Sequence, residues 1–175
     1  MMKSTRIKLV PPSMDLVRDS VDATRESAAE LSEYLGWIES AMQDPEKNMQ
    51  TAIENYRAFE AEVRFYIINI SNAALIGAIG LVVRDPDVPF FEIGYWIRSS
   101  KVGNGYATEA VVLLEQYAFE QKNAKRLEIR MASSNVKSRS VAEKCGYSKE
   151  AELQNERRLP GGELSNTLVY AKVGG

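Results

Sequence analysis

Apolar residues in the first third of the chain recur at helical spacing. They lie three to five positions apart between Met14 and Trp37, and from Asn48 to Val63 the steps are three and four, through Met49, Ile53, Tyr56 and Phe59. Such spacing places apolar side chains on one face of a helix, so both segments are predicted to be amphipathic helices. A short apolar run before them, Ile7–Val10, ends at two prolines and is predicted to be the first strand.

Three β-rich runs follow, at Phe65–Ile70, Leu75–Val83 and Phe90–Ile97. The short polar turns between them predict an antiparallel meander. Gly77 and Gly80 would weaken the second strand unless the sheet bulges or packs closely there.

The remainder of the chain alternates helix and strand. A helix is predicted after Gly105 and ends near Asn123, and a short helix from Val136 to Cys145 is capped by Asn135 and terminated by Gly146. The predicted strands are Arg126–Met131, a run from Tyr147 onward, and Thr167–Val173, the last two joined by the turn Pro160–Gly162. We therefore expect one α/β domain of the α+β kind over residues 1–175, with helices on a largely antiparallel sheet.

Charge and hydropathy narrow the range of partners. With 22 basic and 24 acidic residues the formal charge is −2, so no global field attracts nucleic acid or an anionic membrane surface. Apolar runs such as Ala73–Val83 are shorter than the roughly 20 residues that span a bilayer. The N-terminus lacks the apolar stretch of a signal peptide. We expect a cytoplasmic protein with no nucleic-acid or membrane partner.

Two absences limit the chemistry. The sequence contains no histidine, which removes Ser-His-Asp and Cys-His catalysis and every histidine-based metal site. Cys145 is the single cysteine, so no internal disulfide or thiolate metal cluster can form. Carboxylate, lysine, tyrosine or serine chemistry remains, or catalysis by positioning, and no metal cofactor is expected.

The segment from Val102 to Thr108 has the features of an anion site. A strand, a loop with glycines at 103 and 105, and a helix follow one another, and the first amides of a helix have no intrahelical partner. A Walker A loop would need a lysine followed by Ser or Thr, and a dinucleotide fingerprint would need a third glycine near Glu109; neither is present. A plain glycine turn before a helix is the remaining alternative.

Two motifs on either side of this loop resemble those of the GNAT superfamily of N-acetyltransferases, and most closely its RimJ/RimL branch. The first is Glu92–Ile97 followed by Gly103–Ala110, and the second is Asn135–Ser138 with Val141–Tyr147. The order of elements from Ile7 to Val173 is also similar. The resemblance implies a mixed, mostly antiparallel sheet of about six or seven strands flanked by about four helices.

The resemblance also implies acetyl-CoA as cofactor. The loop amides would bind its pyrophosphate, the strand end would pair with its pantetheine arm, and Asn135 and Ser138 would contact the arm or phosphate from the opposite wall. The implied contacts are made by Tyr95, Trp96, Ile97, Val102, Gly103, Asn104, Gly105, Tyr106, Ala107, Thr108, Asn135 and Ser138. The family loop usually begins with Gln or Arg, so Val102 predicts a phosphate site that relies more on backbone amides.

Acyl transfer to an amine needs a base and a proton source for the thiolate. Glu92 is the candidate base, because strand alternation places it on one face with Gly94 and Trp96 beside the expected thioester site. Many relatives carry a tyrosine general acid at the position of Ala142. The general acid is therefore not assigned here, and Ser138 and Tyr147 are the candidates. Cys145 has no histidine partner and is interpreted as a buried thiol.

The acceptor is a primary amine, with a protein N-terminus as the first hypothesis and a small molecule such as a polyamine or amino sugar as the second. Tyr34, Trp37 and Tyr170 are the candidate acceptor-binding residues, and homo-oligomerisation is an open possibility. Two alternatives remain: a non-catalytic acyl-CoA-binding module, and an unrelated nucleotide-binding α/β protein.

Overall fold

A computed structural model describes residues 2–174; Met1 and Gly175, the two ends of the predicted domain, lie outside the described residues. The chain forms a seven-stranded sheet in the order β1-β2-β3-β4-β5-β7-β6. The β4–β5 pair is parallel and the other five pairs are antiparallel. The strands are β1 (Ile7–Val10), β2 (Glu62–Asn69), β3 (Leu75–Asp85), β4 (Phe90–Ile97), β5 (Arg126–Ala132), β6 (Ser148–Arg158) and β7 (Leu164–Val173). The helices are α1 (Val17–Leu31), α2 (Ile38–Gln43), α3 (Pro45–Ala58), α4 (Tyr106–Lys122) and α5 (Val136–Lys144), with single 3₁₀ turns at Met14–Leu16 and Ser99–Lys101.

The helices cover the two faces of the sheet unequally. The larger core lies between α4, α5 and the alternating apolar residues of β1 to β5 and β7. A smaller core, which includes Ala23, Met49 and Trp96, lies on the other face beneath α1 and α3. Because α1–α3 pack mainly on β2 and β3, with Trp96 of β4 also in this core, they do not cover the same face over β5, β7 and β6. No helix among residues 2–174 is long and apolar enough to cross a lipid bilayer.

The glycines of β3 mark close approaches between strands. A Cβ on Gly77 would lie 2.1 Å from the carbonyl oxygen of Trp96, a separation that no side chain tolerates. A Cβ on Gly80 would lie 3.0 Å from the carbonyl oxygen of Val63. The register between β2 and β3 shifts beside Gly77, because Ile67 pairs with Gly77 and Ile68 pairs with Leu75. The expected bulge and close packing are therefore confirmed.

The predicted elements are confirmed except in the N-terminal helical region. The chain has five α-helices over the described residues, one more than expected, because α2 is a six-residue helix too short to show a periodic pattern. The helix predicted over 48–63 begins earlier, at Pro45, and ends at Ala58. Phe59 and Ala61 then adopt left-handed backbone angles without being glycine, so neither residue type signals the break.

Candidate active site

A cleft opens between β4 and β5. Their parallel pairing covers only three register positions, with Phe90, Phe91 and Glu92 opposite Arg126, Leu127 and Glu128. Beyond Glu92 the two strands diverge, although β4 remains paired to β3 as far as Ile97 and β5 remains paired to β7 as far as Ala132. Each strand therefore has one edge whose backbone groups are available to a ligand between them.

The loop that follows β4 presents free amides near this cleft. Gly103 and Gly105 have φ angles of 84° and 79°, which place the backbone in a left-handed conformation and turn the chain into α4. The first hydrogen bond of the helix runs from the amide of Glu109 to the carbonyl of Gly105. Within residues 2–174, the amides from Gly103 to Thr108 donate to no partner. This row of donors at a helix N-terminus fits a pyrophosphate group.

Arg6, just before β1, holds the loop in place. Its Nε donates to Oε2 of Glu109 at 2.9 Å, and its Nη1 donates to the carbonyl of Asn104 at 3.0 Å. The guanidinium also lies over the ring of Tyr106, 4.8 Å from its centre. A groove of about 510 Å³, lined by Arg6, Gly105 and Thr108 among others, runs beside the loop.

The opposite wall of the cleft is formed by the start of α5. Asn135 caps this helix, its Oδ1 accepting from the amide of Ser138 at 3.0 Å. The hydroxyl of Ser138 lies 2.9 Å from that of Tyr95 on β4, so the two walls are joined by a hydrogen bond. Burial raises the pKa of Tyr95 to about 12, so this phenol keeps its proton at neutral pH.

Glu92 lies at the point where the strands separate. Both hydrogen bonds from the guanidinium of Arg84 go to its Oε2. Its side chain is 17% exposed. Arg157, on β6, lies near Glu92. Burial lowers the pKa of Arg157, whereas the negative charges of Glu156 and Glu92 raise it. The open sheet face over the cleft is thus lined by opposite charges in close proximity.

Sequence reasoning missed a second carboxylate at the same point. Glu128 lies directly opposite Glu92 in the β4–β5 register and is 5% exposed. Its Oε1 accepts from Nε of Arg126 at 2.9 Å, and its Oε2 lies 3.7 Å from Nη1 of Arg130. The sequence of β5 does not mark Glu128 as buried, because Glu128 alternates with apolar residues together with Arg126 and Arg130, as expected for a strand with one exposed face.

The three predicted acceptor-binding residues are not brought together. Tyr34, after α1, reaches the loop that follows β5, with its hydroxyl 3.5 Å from the carbonyl of Ser134. Trp37 lines a small cavity beside Trp96 and is 38% exposed. Tyr170 was wrongly placed: it is 3% exposed and lies on the core face, where its hydroxyl donates to Glu143 at 2.9 Å. Alternation fixes which residues of β7 share a face, but not which face meets the acceptor.

Cys145 is a buried thiol, as expected. It is 8% exposed and packs against α4, with its Sγ 3.7 Å from the carbonyl of Thr108. Burial raises the pKa of this thiol to about 11, so at neutral pH it is not a thiolate nucleophile.

Comparison with known proteins decides the family. Residues 6–148 match the acetyltransferase (GNAT) domain, which is most of the chain. The chain belongs to the GNAT family. The resemblance inferred from the loop and from the Asn135–Ser138 segment is thereby confirmed.

Individual GNAT relatives agree with this assignment. The chain is 35% identical over 99 residues to a Bacillus subtilis protein named "Putative ribosomal N-acetyltransferase YdaF", a match covering 57% of this chain and 53% of that protein. The chain thus spans about half the length of the curated relatives it matches.

Solved GNAT structures have the same fold. The microcin C7 self-immunity acetyltransferase MccE, solved with acetyl-CoA and AMP, aligns with a TM-score of 0.88 at 20% identity over 97% of this chain and 93% of that one. RimL, the ribosomal L7/L12 alpha-N-protein acetyltransferase solved with coenzyme A, aligns with a TM-score of 0.88 at 18% identity over 98% and 96%. The expected fold class is confirmed.

Proposed function

We propose that this protein is an acetyl-CoA-dependent N-acetyltransferase that acts on a primary amine. The observation that carries the proposal is the cleft between β4 and β5, flanked by the unpartnered amides of Gly103–Thr108 and by the two open strand edges. Coenzyme A contains a pyrophosphate and a peptide-like pantetheine arm. The first matches helix N-terminal amides, and the second matches the edge of a strand.

In this proposal the loop from Val102 to Thr108 holds the pyrophosphate, and the edge of Tyr95–Ile97 pairs with the pantetheine arm. Val102 is 45% exposed and contributes no charge, so the phosphate grip depends on backbone donors. Asn135 keeps its side-chain amide free for the arm, because only its Oδ1 is used in capping. Acetyl-CoA supplies the activated carbonyl carbon of its thioester.

Glu92 acts as the base. Its Oε2 is held by Arg84 while its Oε1 accepts no hydrogen bond within residues 2–174, so one oxygen is free to take a proton from the acceptor nitrogen. The acceptor reacts as the neutral amine, whose lone pair forms the new carbon–nitrogen bond as the carbon–sulfur bond breaks. The one proton that the nitrogen loses passes to Glu92 and from there to solvent. Ser138, oriented by Tyr95, donates the proton that the departing sulfur needs and regains one from solvent.

The names of relatives favour a protein N-terminus as acceptor. YdaF is named for ribosomal N-acetylation and RimL for alpha-N acetylation of a ribosomal protein. In this proposal an extended peptide lies along the charged face over β5, β7 and β6, near Tyr34, whose hydroxyl reaches the loop after β5. A polyamine or amino sugar is the second hypothesis, since the same face offers carboxylates to a small cation.

A thiol-release assay tests the proposal. Purified protein, acetyl-CoA and a panel of acceptors are combined: peptides with free N-termini, the same peptides with acetylated N-termini, polyamines and amino sugars. Release of free thiol with a free N-terminus and not with its blocked form supports the proposal. Tight coenzyme A binding without turnover of any acceptor would instead identify a non-catalytic acyl-CoA-binding module.

A further inference from the structure

Arg157, on β6, has a guanidinium group that the fold uses only in part. The side chain is partly buried, and its Nε donates to the hydroxyl of Thr167 at 2.9 Å. Among the described residues, Nη1 and Nη2 of Arg157 donate no hydrogen bond and form no ion pair. Neither nitrogen is fully buried. Both are therefore donors that a ligand can reach.

Three other arginines near the cleft differ from Arg157, because each donates from a terminal nitrogen to a carboxylate. The pairs are Arg84 with Glu92, Arg126 with Glu128 and Glu150, and Arg130 with Glu156. Glu92 and Glu156 also lie near Arg157 and offset its charge, but neither accepts a hydrogen bond from it. Arg157 therefore lacks a hydrogen-bond acceptor rather than a countercharge.

The guanidinium of Arg157 lies over the part of β5 that has separated from β4. Thr167, which holds its Nε, is the register partner of Ala132 at the end of β5, well beyond the last paired position of β5 with β4. Register and strand alternation place Thr167, Ala132 and Glu92 on one face of the sheet. Since Arg157 is anchored at Thr167 and its charge acts on Glu92, its side chain extends across β5 toward the cleft.

We propose that Nη1 and Nη2 of Arg157 bind the carbonyl oxygen that lies next to the amine of the acceptor. This inference rests on the proposed function, in which Glu92 takes the proton from that amine. A carbonyl oxygen has two lone pairs and accepts from a guanidinium without adding charge. A neutral carbonyl suits the site better than a carboxylate, because Glu92 and Glu156 are already nearby.

The site then distinguishes between the two classes of acceptor. A peptide N-terminus carries a carbonyl group two bonds from its nitrogen, so Glu92 and Arg157 together fix the first residue at two points. A polyamine has no carbonyl oxygen and brings further positive charge toward Arg157. An amino sugar with a free amine has hydroxyl groups in place of the carbonyl. Arg157 makes and breaks no covalent bond, and its role is to bind and orient the acceptor.

Three small amines of nearly equal size test the site without needing turnover. Glycinamide carries a neutral carbonyl, glycine carries a carboxylate, and isobutylamine carries neither. Each is titrated into protein saturated with coenzyme A, and binding is followed by NMR. We expect glycinamide to bind most tightly. Arg157→Gln should weaken glycinamide binding about tenfold, as for loss of a charged hydrogen bond, and leave isobutylamine binding unchanged.

Arg158→Gln is the matched control. Arg158 is the next residue on β6, is exposed, and donates from Nη1 to the carbonyl of Gly162 in the turn. This variant should bind all three amines like wild type. Arg157→Lys keeps the charge but lacks the paired terminal nitrogens, so it should recover only part of the glycinamide affinity. A variant that is partly unfolded would instead lose affinity for glycinamide and isobutylamine alike.

Kinetics with acetyl-CoA provide the second measurement. The ratio of kcat/KM for glycinamide to that for isobutylamine should fall about tenfold from wild type to Arg157→Gln, and the different basicities of the two amines cancel in this comparison. An equal loss with both amines would overturn the inference, as would isobutylamine or glycine binding to wild type as tightly as glycinamide. Failure of the proposed function looks different: glycinamide binds through Arg157, yet no acceptor is acetylated.

Discussion

At the scale of single residues, the cleft depends on side chains whose two polar atoms face different partners. Glu92 is held by Arg84 through one oxygen and leaves the other free, and Asn135 caps α5 with its oxygen and leaves its amide. Such division lets a residue be fixed by the fold and still meet a ligand. It is a form of preorganisation, because the fixed half restricts the rotamers available to the free half.

Glu92→Gln tests the role of the free oxygen. Glutamine keeps the shape but cannot accept a proton, so turnover near neutral pH should fall about 10²- to 10⁴-fold, the usual contribution of a general base. Coenzyme A affinity should stay nearly unchanged, measured by calorimetry. Glu62→Gln is the control, since Glu62 is likewise paired with an arginine, Arg64, on β2. Unchanged rates would mean that another group or solvent takes the proton.

Residue patterns predicted that a strand, a glycine loop and a helix follow one another, but not that Glu128 lies opposite Glu92 or that Tyr170 is buried. The sequence predicts the loop because its glycines, the preceding strand and the following helix are neighbours along the chain. The position of Glu128 opposite Glu92 depends on a contact between residues distant in sequence, over a register only three positions long. Alternation assigns Tyr170 and Ile129 to one face, but the packing of α5 decides that this face is the core.

At the scale of elements, the loop from Val102 to Thr108 is held from both of its ends by segments distant in sequence. Arg6 fixes the helix end, and α1 fixes the turn that precedes Val102. Ser99 donates through its amide to Ser27 at 2.9 Å and through its hydroxyl to Glu30 at 2.9 Å. The loop itself makes few internal bonds, so its shape depends on these neighbours.

Arg6→Ala should loosen the loop. It removes the bonds to Glu109 and to the Asn104 carbonyl, and the dissociation constant for coenzyme A should rise about fivefold, a modest effect because the Arg6 side chain is 47% exposed. Calorimetry measures it, with Lys8→Ala, a nearby exposed cation on β1, as the control. Glu109→Gln separates two causes. If Arg6 acts by positioning the loop, this variant also binds more weakly; retained affinity would contradict positioning.

Glu26 links α1 to the same turn and predicts a pH-dependent stability. Hydrogen bonds from Ser100 and Arg98 hold the pKa of Glu26 at about 2, below its ordinary value of 4.5. A depressed folded-state pKa stabilises the protein above pH 4.5, and this contribution is lost as the pH falls toward 2. Glu26→Gln should therefore melt below wild type at pH 7, with a smaller difference at pH 3.

Asp22→Asn is the control for that experiment. Asp22 lies on the same helix but pairs only with Arg25 of α1 itself, and its side chain is 52% exposed. Its substitution should change the melting temperature little at either pH. A Glu26→Gln difference that stayed constant between pH 7 and pH 3 would show that the Glu26 carboxylate does not supply the stability through its charge.

At the scale of the whole molecule, the sheet is incomplete where its two halves meet. The halves, β1–β4 and β5–β7, are joined by the three register positions at Phe90–Glu92, the hydrogen bond between Tyr95 and Ser138, and the core beneath α4 and α5. In the proposed function, coenzyme A lies between β4 and β5 and would supply the missing strand contacts. The fold class was predictable because most of its strand pairs are local, whereas the parallel β4–β5 contact and its early end are not.

Coenzyme A should therefore join the two halves. At 100 times its dissociation constant it should stabilise the protein by about 2.7 kcal/mol and raise the melting temperature by about 5–10 °C. Hydrogen exchange should slow at residues 93–97, 103–108 and 129–132, while β1 and β2 exchange as before.

ATP is the control ligand, since it has phosphates but no pantetheine arm. Gly105→Asp, which places a charge and a Cβ at a φ of 79°, should abolish the coenzyme A shift. A shift with ATP alone, or protection confined to the loop, would contradict a cofactor that lies along both strands.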